Sequence, residues 1–157
     1  MKNFQNRHTE DWQSVSTLRV PSVTEYMTPI KKLITIKEDT PVMEVLHTLL
    51  DNRITGAPVM NDDGDVVGLI DDKDCLNILL SSAYYNHPLE RDTVAEYMSN
   101  VMKEISIDYD MVRVANVFLT TPYKRLLVKD HKGKLAGQIS RRDVLRAIRD
   151  MNSNQRN

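Results

Sequence analysis

The sequence predicts an α+β protein made of two copies of one β-α-β-β-α unit, and three observations carry that reading. The first is a duplication: Val23-Thr24-Glu25-Tyr26-Met27-Thr28 returns in the second half of the chain as Val94-Ala95-Glu96-Tyr97-Met98-Ser99. Residues 23–39 and 94–110 share 8 identities in 17 positions, with Ile34-Thr35-Ile36 set against Ile105-Ser106-Ile107. The second is a change of spacing: Val59, Gly64, Gly68, Ile70 and Asp74 match Val128, Gly133, Gly137, Ile139 and Asp143 at an offset shorter by two, so the second copy has lost two residues in its middle. The third is size. The chain has 157 residues and each copy only about 55, close to the lower limit at which a core is stable alone, so the copies are expected to share one.

The elements of each copy follow in order. A short β-type run (33–36; 105–107) opens each unit. In the first helix Thr40 reads as an N-cap with Pro41 at the first helical position. Val42, Val45, Leu46, Leu49 and Leu50 then follow the spacing of one buried helical face, as do Met111, Val114, Ala115 and Phe118 in the second copy, where Thr121-Pro122 ends the helix. Two β-runs come next, 57–60 and 66–70 around Asn61-Asp62-Asp63-Gly64-Asp65, and 126–129 and 135–139 around Asp130-His131-Lys132-Gly133-Lys134. Glycine supplies the positive φ that such hairpins need. A second helix, 73–82 or 141–151, closes each unit. This gives a tail (1–20), a first unit (21–83), a linker with the turn Asn86-His87-Pro88 (84–93), a second unit (94–151) and a tail (152–157).

Composition excludes several classes. Lys plus Arg number 21 against 22 Asp plus Glu, which gives no support to a general nucleic-acid binder. The near balance conceals two halves: residues 1–90 carry 8 basic and 14 acidic side chains, residues 91–157 carry 13 and 8. No stretch approaches the ~18 apolar residues of a membrane span, and no secretory signal opens the chain. One cysteine, Cys75, excludes an internal disulfide, fits a cytoplasmic protein and reads as a core residue. His8, His47, His87 and His131 lack ligand spacing for zinc. Asn61, Asp63, Asp65 and Asp72 echo a calcium loop without its required glycine or final glutamate. No nucleophile–base pair or metal cluster can be assembled, so no catalytic residue, metal or cofactor is expected.

The motif with chemistry is Gly137-Gln138-Ile139-Ser140-Arg141-Arg142-Asp143. Ser140 sits where a strand yields to a helix, whose first N–H groups are free to meet a phosphate. Asp143 is one turn on and projects to the same side. A carboxylate there accepts both hydroxyls of a ribose while Ser140 and Arg142 meet phosphate. The same residues also suit a plain N-cap with an acid in the first turn. Arg141, Arg142, Arg146 and Arg149 form a basic helix face, fit for solvent, phosphate or a partner.

With Gly56-Ala57-Pro58-Val59 and the motif at 137–143, the duplicated chain resembles a tandem pair of CBS domains, a Bateman module, over residues 20 to 151. The resemblance implies two units about a pseudo-two-fold axis with two clefts between them. Such clefts bind adenosine nucleotides such as AMP, ADP or ATP, or relatives such as S-adenosylmethionine, and such pairs form dimers. Carried over residue by residue, the first cleft sets Gln138, Ile139, Ser140, Arg142 and Asp143 against Ile54, Thr55, Gly56, Ala57 and Pro58, with Thr28, Pro29 and Ile34 from the opening segment. Gly56 and Ala57 would let a flat base approach the backbone. The second cleft departs from the pattern: Asp71 stands where Ser or Thr is expected, Asp72 and Asp74 follow, and Tyr123, Lys124, Arg125 and Leu126 lie opposite. Carboxylates at a phosphate position repel it unless cations such as Lys124 and Arg125 offset them, so this site is expected to be empty, weaker or selective for a less anionic ligand such as a nucleoside. The expected function is a non-enzymatic sensor that signals to a protein partner in trans, with no nucleic acid or membrane; the alternative is a ligand-independent dimerisation module.

Overall fold

The computed structural model describes residues 19–154; most of the N-terminal tail, with His8, and the last three residues lie outside them. A 3-10 turn (Val23–Glu25) leads into β1 (Thr28–Pro29), β2 (Ile36–Lys37), α1 (Val42–Asp51), β3 (Gly56–Met60), β4 (Val66–Asp71) and α2 (Asp72–Tyr85). Two further 3-10 turns (Leu89–Arg91, Val94–Glu96) precede β5 (Glu104–Ser106), α3 (Met111–Thr120), β6 (Arg125–Lys129), β7 (Leu135–Ser140) and α4 (Arg141–Asn154). The α+β class and the four helices are as expected. Helix α2 continues into the expected linker and stops where Asn86 turns left-handed at φ 47°. Gly64 (φ 80°) and Gly133 (φ 76°) supply the positive φ of the two hairpins.

The helices bury the faces that their spacing dictates, with two differences. In α1 Val42, Val45 and Leu49 are buried, whereas Leu50 is 74% exposed, since one further residue carries it about 100° around the helix. The N-cap is Pro41, with no side-chain hydrogen bond, instead of Thr40. Met111, Val114 and Phe118 are the buried stripe of α3, and its cap, Asp110, accepts the Arg113 N–H at 2.9 Å.

The strands form two sheets, β2-β3-β4 and β1-β7-β6-β5. Their registers correct the expected alignment of the copies. Ile36 pairs with Val59 and Ile105 with Val128, so Ile36, not Ile34, is the counterpart of Ile105. The two missing residues therefore fall between Ser99 and Ile105, ahead of the core strand. An Ile-x-Ile pattern fits both registers because strand side chains repeat every two residues. Burial decides between them: Ile36 and Ile105 are each 4% exposed.

The openings of the two copies are exchanged. Val23 belongs to the core of the second sheet, among Ile105, Phe118, Leu126 and Ile139, and β1 pairs antiparallel with β7. Val94 belongs to the core of the first, among Ile36, Val45, Val59 and Ile70, and Ser99 bridges to Leu69. Matching backbone bonds lock both: Val23 N–H to Tyr109 O and Val94 N–H to Thr40 O, each 2.9 Å. Each valine is fully buried, a contribution of about 2 kcal/mol to the neighbour's core. A tyrosine follows each valine: Tyr26 donates across the exchange to Asp150 at 2.9 Å, and Tyr97 donates within its own segment to Asp92 at 2.7 Å.

Between the sheets, residues that the repeat matches to each other meet. Pro58 and its counterpart Leu127 are both fully buried and belong to neither core. The Lys134 ammonium lies 3.0 Å from its counterpart Asp65, and Arg125 lies against its counterpart Gly56. Counterparts meet in this way only along a two-fold axis, so the pseudo-two-fold relation is a property of the fold. The acidic and basic halves also meet there, through Asp65 and Lys134.

Candidate functional site

The two expected clefts correspond to two strand-to-helix junctions, β7–α4 for the first and β4–α2 for the second. In the first, β7 ends at Ser140 and α4 starts at Arg141 without a loop. Asp143, one turn on, accepts the Ser140 N–H at 2.9 Å and its hydroxyl at 3.0 Å through one carboxylate oxygen, Oδ2. The other oxygen, Oδ1, lies 3.8 Å from the Arg146 guanidinium, and the side chain is 14% exposed. A carboxylate offers about four lone-pair positions, so capacity for further donors remains. Gln138 lies on the same face of β7 as Ser140, because strand residues alternate. Its Oε1 is fully buried and accepts no hydrogen bond among the described residues. Thr28 and Pro29 pair with Gln138 and Gly137. A Cβ at Gly137 would overlap the Thr28 carbonyl oxygen, so this glycine serves to bring the exchanged segment down onto β7.

Alternation turns the side chains of several expected site residues into the cores. Ala57, Leu126 and Ile139 turn into the two cores, and Ile54 packs against the first. They can offer a ligand backbone groups only. Ile34 is half-buried in the loop after β1, while Thr55 is exposed. Gly56, the expected platform for a base, is covered: the Arg125 guanidinium crosses the axis, lies on its backbone and donates to Thr55 Oγ1 at 3.0 Å. Thr55 to Pro58 and the Ser140 junction are thus joined through Arg125, which stands opposite Ser140 in the β6–β7 ladder.

The second cleft is a cavity of about 310 Å³ lined by Asp71, Asp74, Lys73, Tyr123, Lys124 and Arg125, with Ser99 and Val101 from the exchanged segment. Asp71 and Asp74 cap each other, Asp74 N–H donating to Asp71 at 2.8 Å and Asp71 N–H to Asp74 at 3.1 Å. Burial, with the charge of Asp71 beside it, pushes the Asp74 carboxyl above its ordinary value. Asp72 is not among the lining residues, whereas Lys73 is, so three cations face two carboxylates. Ser99, Val101 and Lys73 were not anticipated. The repeat could have pointed to Ser99, the counterpart of Thr28.

Of the basic face on α4, Arg141 reaches the Tyr123 carbonyl at 3.4 Å, Arg146 meets Asp143, and Arg149 pairs with Asp150 at 3.1 Å. Arg142 is exposed and has no partner among the described residues. Among those residues, no three His, Cys, Asp or Glu side chains converge as a metal ion would require. None of the helices there is long and apolar enough to cross a membrane.

Two exchanged α+β units about a pseudo-two-fold axis, each with a carboxylate at a helix start, define a paired, duplicated module. The model of the CBS domain matches residues 23–81 and 94–150, and the chain belongs to the CBS-domain family as a tandem pair. It is similar to the chloroplastic CBS domain-containing proteins CBSX1 (33% identical over 151 residues, 82% of this chain) and CBSX2 (28% over 149 residues, 80%) of Arabidopsis thaliana. It spans 64% and 63% of their lengths. The crystal structure of CBSX2 in complex with AMP superposes with a TM-score of 0.71 at 29% identity, covering 84% of this chain and 98% of that one. CbpB, solved in complex with c-di-AMP, shares the fold at a TM-score of 0.73 and 16% identity, covering 90% of this chain and 93% of that one.

Proposed function

We propose that this chain is a non-catalytic regulatory module that binds an adenosine nucleotide, AMP, ADP or ATP, in the first cleft. Asp143 accepts the ribose hydroxyls, and Ser140, Arg142 and the start of α4 meet the phosphate. The base lies toward Gln138, with Thr28 and Pro29 on one side and Thr55 to Pro58 on the other. The observation that carries the reading is the buried, unpartnered Gln138 Oε1 on the face it shares with Ser140. A buried acceptor without a donor is costly, and the exocyclic amine of adenine is a donor of the right kind. The AMP complex of CBSX2 supports the choice of ligand. S-adenosylmethionine offers the same base and ribose but leaves Arg142 without a phosphate.

Ligand bridging both units favours one relative orientation, and a protein partner in trans reads that population. A second copy covers the exposed apolar helix faces that both units carry, at Leu76, Leu79, Leu119, Leu145 and Ile148. A single, half-buried cysteine suits a reducing compartment, the cytoplasm for this chain; the plant relatives are chloroplastic. Isothermal titration with AMP, ADP, ATP and S-adenosylmethionine tests the ligand. The expected result is one tight nucleotide site, which Asp143→Ala weakens about thirty-fold. No heat from any of the four, or unchanged affinity in that variant, overturns the reading in favour of a ligand-independent dimerisation module.

A further inference from the structure

Arg125 occupies a position that no other cation in the described residues shares. It lines the second cleft, yet its only hydrogen bond there goes to Thr55, at the rim of the first. Its guanidinium covers Gly56, its own counterpart under the pseudo-symmetry. It has five N–H donors and spends one on a neutral hydroxyl. The two carboxylates of its cleft are committed to each other's backbone N–H groups, and neither forms an ion pair with it. A half-buried cation held this weakly moves to a better acceptor. A phosphoryl group is one, since charge-assisted, bidentate bonds are roughly twice as strong as neutral ones.

We infer that Arg125 is the anion receptor of the second cleft and the gate of the first. A phosphoryl group seated between Lys73, Lys124 and Tyr123 draws the guanidinium off Thr55 and uncovers the Gly56 face, where the first cleft receives its base. The two clefts are thereby coupled through one side chain. The gating half of this inference rests on the nucleotide reading of the first cleft; the receptor half does not.

The test separates the two. In protein labelled with ¹⁵N-arginine, the Arg125 Nε resonance, assigned by its loss in Arg125→Lys, is followed during titration with pyrophosphate. It is expected to shift saturably in the wild type and in Asp143→Asn, and to need at least about five-fold more pyrophosphate in Lys124→Gln, the loss of one cationic contact. A resonance that stays in place, or that Asp143→Asn rather than Lys124→Gln desensitises, overturns the receptor whatever AMP does. For the gate, Arg125→Gln is expected to bind AMP about five-fold more tightly than the wild type, the low end of ordinary coupling between sites. Unchanged or weakened binding overturns the gate. Absence of AMP binding in both proteins, with Arg125 still responding to pyrophosphate, overturns the gate and the nucleotide reading but leaves the receptor standing.

Discussion

The two clefts share one backbone and one carboxylate, Asp143 in the first and Asp74 in the second, and differ in three places around it. Ser140 and Asp143 at one junction correspond to Asp71 and Asp74 at the other, Gln138 to Leu69, and Gly56 to Arg125. One junction presents a carboxylate steadied by a hydroxyl, with a buried, unpartnered acceptor on the same strand face. The other holds two carboxylates that cap each other, beneath an arginine that leans out of it. A duplicated unit therefore keeps its fold while its sites diverge. Helix capping tolerates either a hydroxyl or a carboxylate at the junction, whereas ligand chemistry distinguishes them.

The deepest way to break the comparison is through the shared glycines. Gly137→Ala sets a Cβ into the Thr28 carbonyl, and Gly68→Ala one at 2.7 Å from the Met98 sulfur and 2.9 Å from the Ser99 carbonyl. A thioether swings aside more readily than backbone, so losses of about 3 and about 1.5 kcal/mol are expected in urea unfolding. Equal losses would show that both exchanged segments yield alike. Next in size, Asp143→Ala should weaken AMP binding by about 2 kcal/mol, roughly thirty-fold, and Asp74→Ala by less than about three-fold, as read by calorimetry. Asp71→Ser makes the second junction resemble the first. It should tighten the weaker second binding event about five-fold, the ~1 kcal/mol of one partly exposed charge, and lower the Asp74 pKa toward its ordinary value in a ¹³C carboxyl titration. Burial keeps it partly raised.

The smallest effect concerns the two aspartates that accept from the tyrosines. Hydrogen bonds from His87 and Tyr97 hold Asp92 below its ordinary value of 3.8, and bonds from Tyr26 and Arg149 do the same for Asp150. A depressed carboxyl contributes stability that is complete above the ordinary value and is lost as pH falls through the lowered one. Asp92→Asn should thus be less stable than the wild type at pH 7, with the gap closing in denaturant melts as pH falls below the ordinary carboxylate value. A gap independent of pH would show that the Asp92 charge contributes nothing to stability.

Much was legible in the residues. The repeat of Val23-x-Glu25-Tyr26-Met27 at Val94 and of Gly68-x-Ile70 at Gly137 shows two units. Periods of two and of 3.6 place hairpins and helices to within a few positions, and Gly64 and Gly133 mark the turns. Ser140 with Asp143 was legible because a strand end, a cap and a first-turn acid lie close together in the chain. Which way the side chains of Ala57, Leu126 and Ile139 turn was not legible, since a run that is buried on both faces hides which residues turn to which side. The covering of Gly56 was not legible, because Arg125 belongs to the other copy and reaches it only across the axis.

The amino-acid sequence by itself determined that there are two like units, where their strands and helices begin, and which junction keeps a hydroxyl beside its carboxylate. All of these follow from patterns within a few turns of chain. Only the tertiary structure decided which core each opening segment enters, in which register Ile36 and Ile105 sit, and where Arg125 lies. Val23-x-Glu25-Tyr26-Met27 and Val94-x-Glu96-Tyr97-Met98 are interchangeable as local patterns, and either core accepts either valine. The choice between them is made by contacts between residues far apart in the chain, such as Val94 to Thr40 at 2.9 Å and Tyr26 to Asp150 at 2.9 Å, which no local pattern encodes.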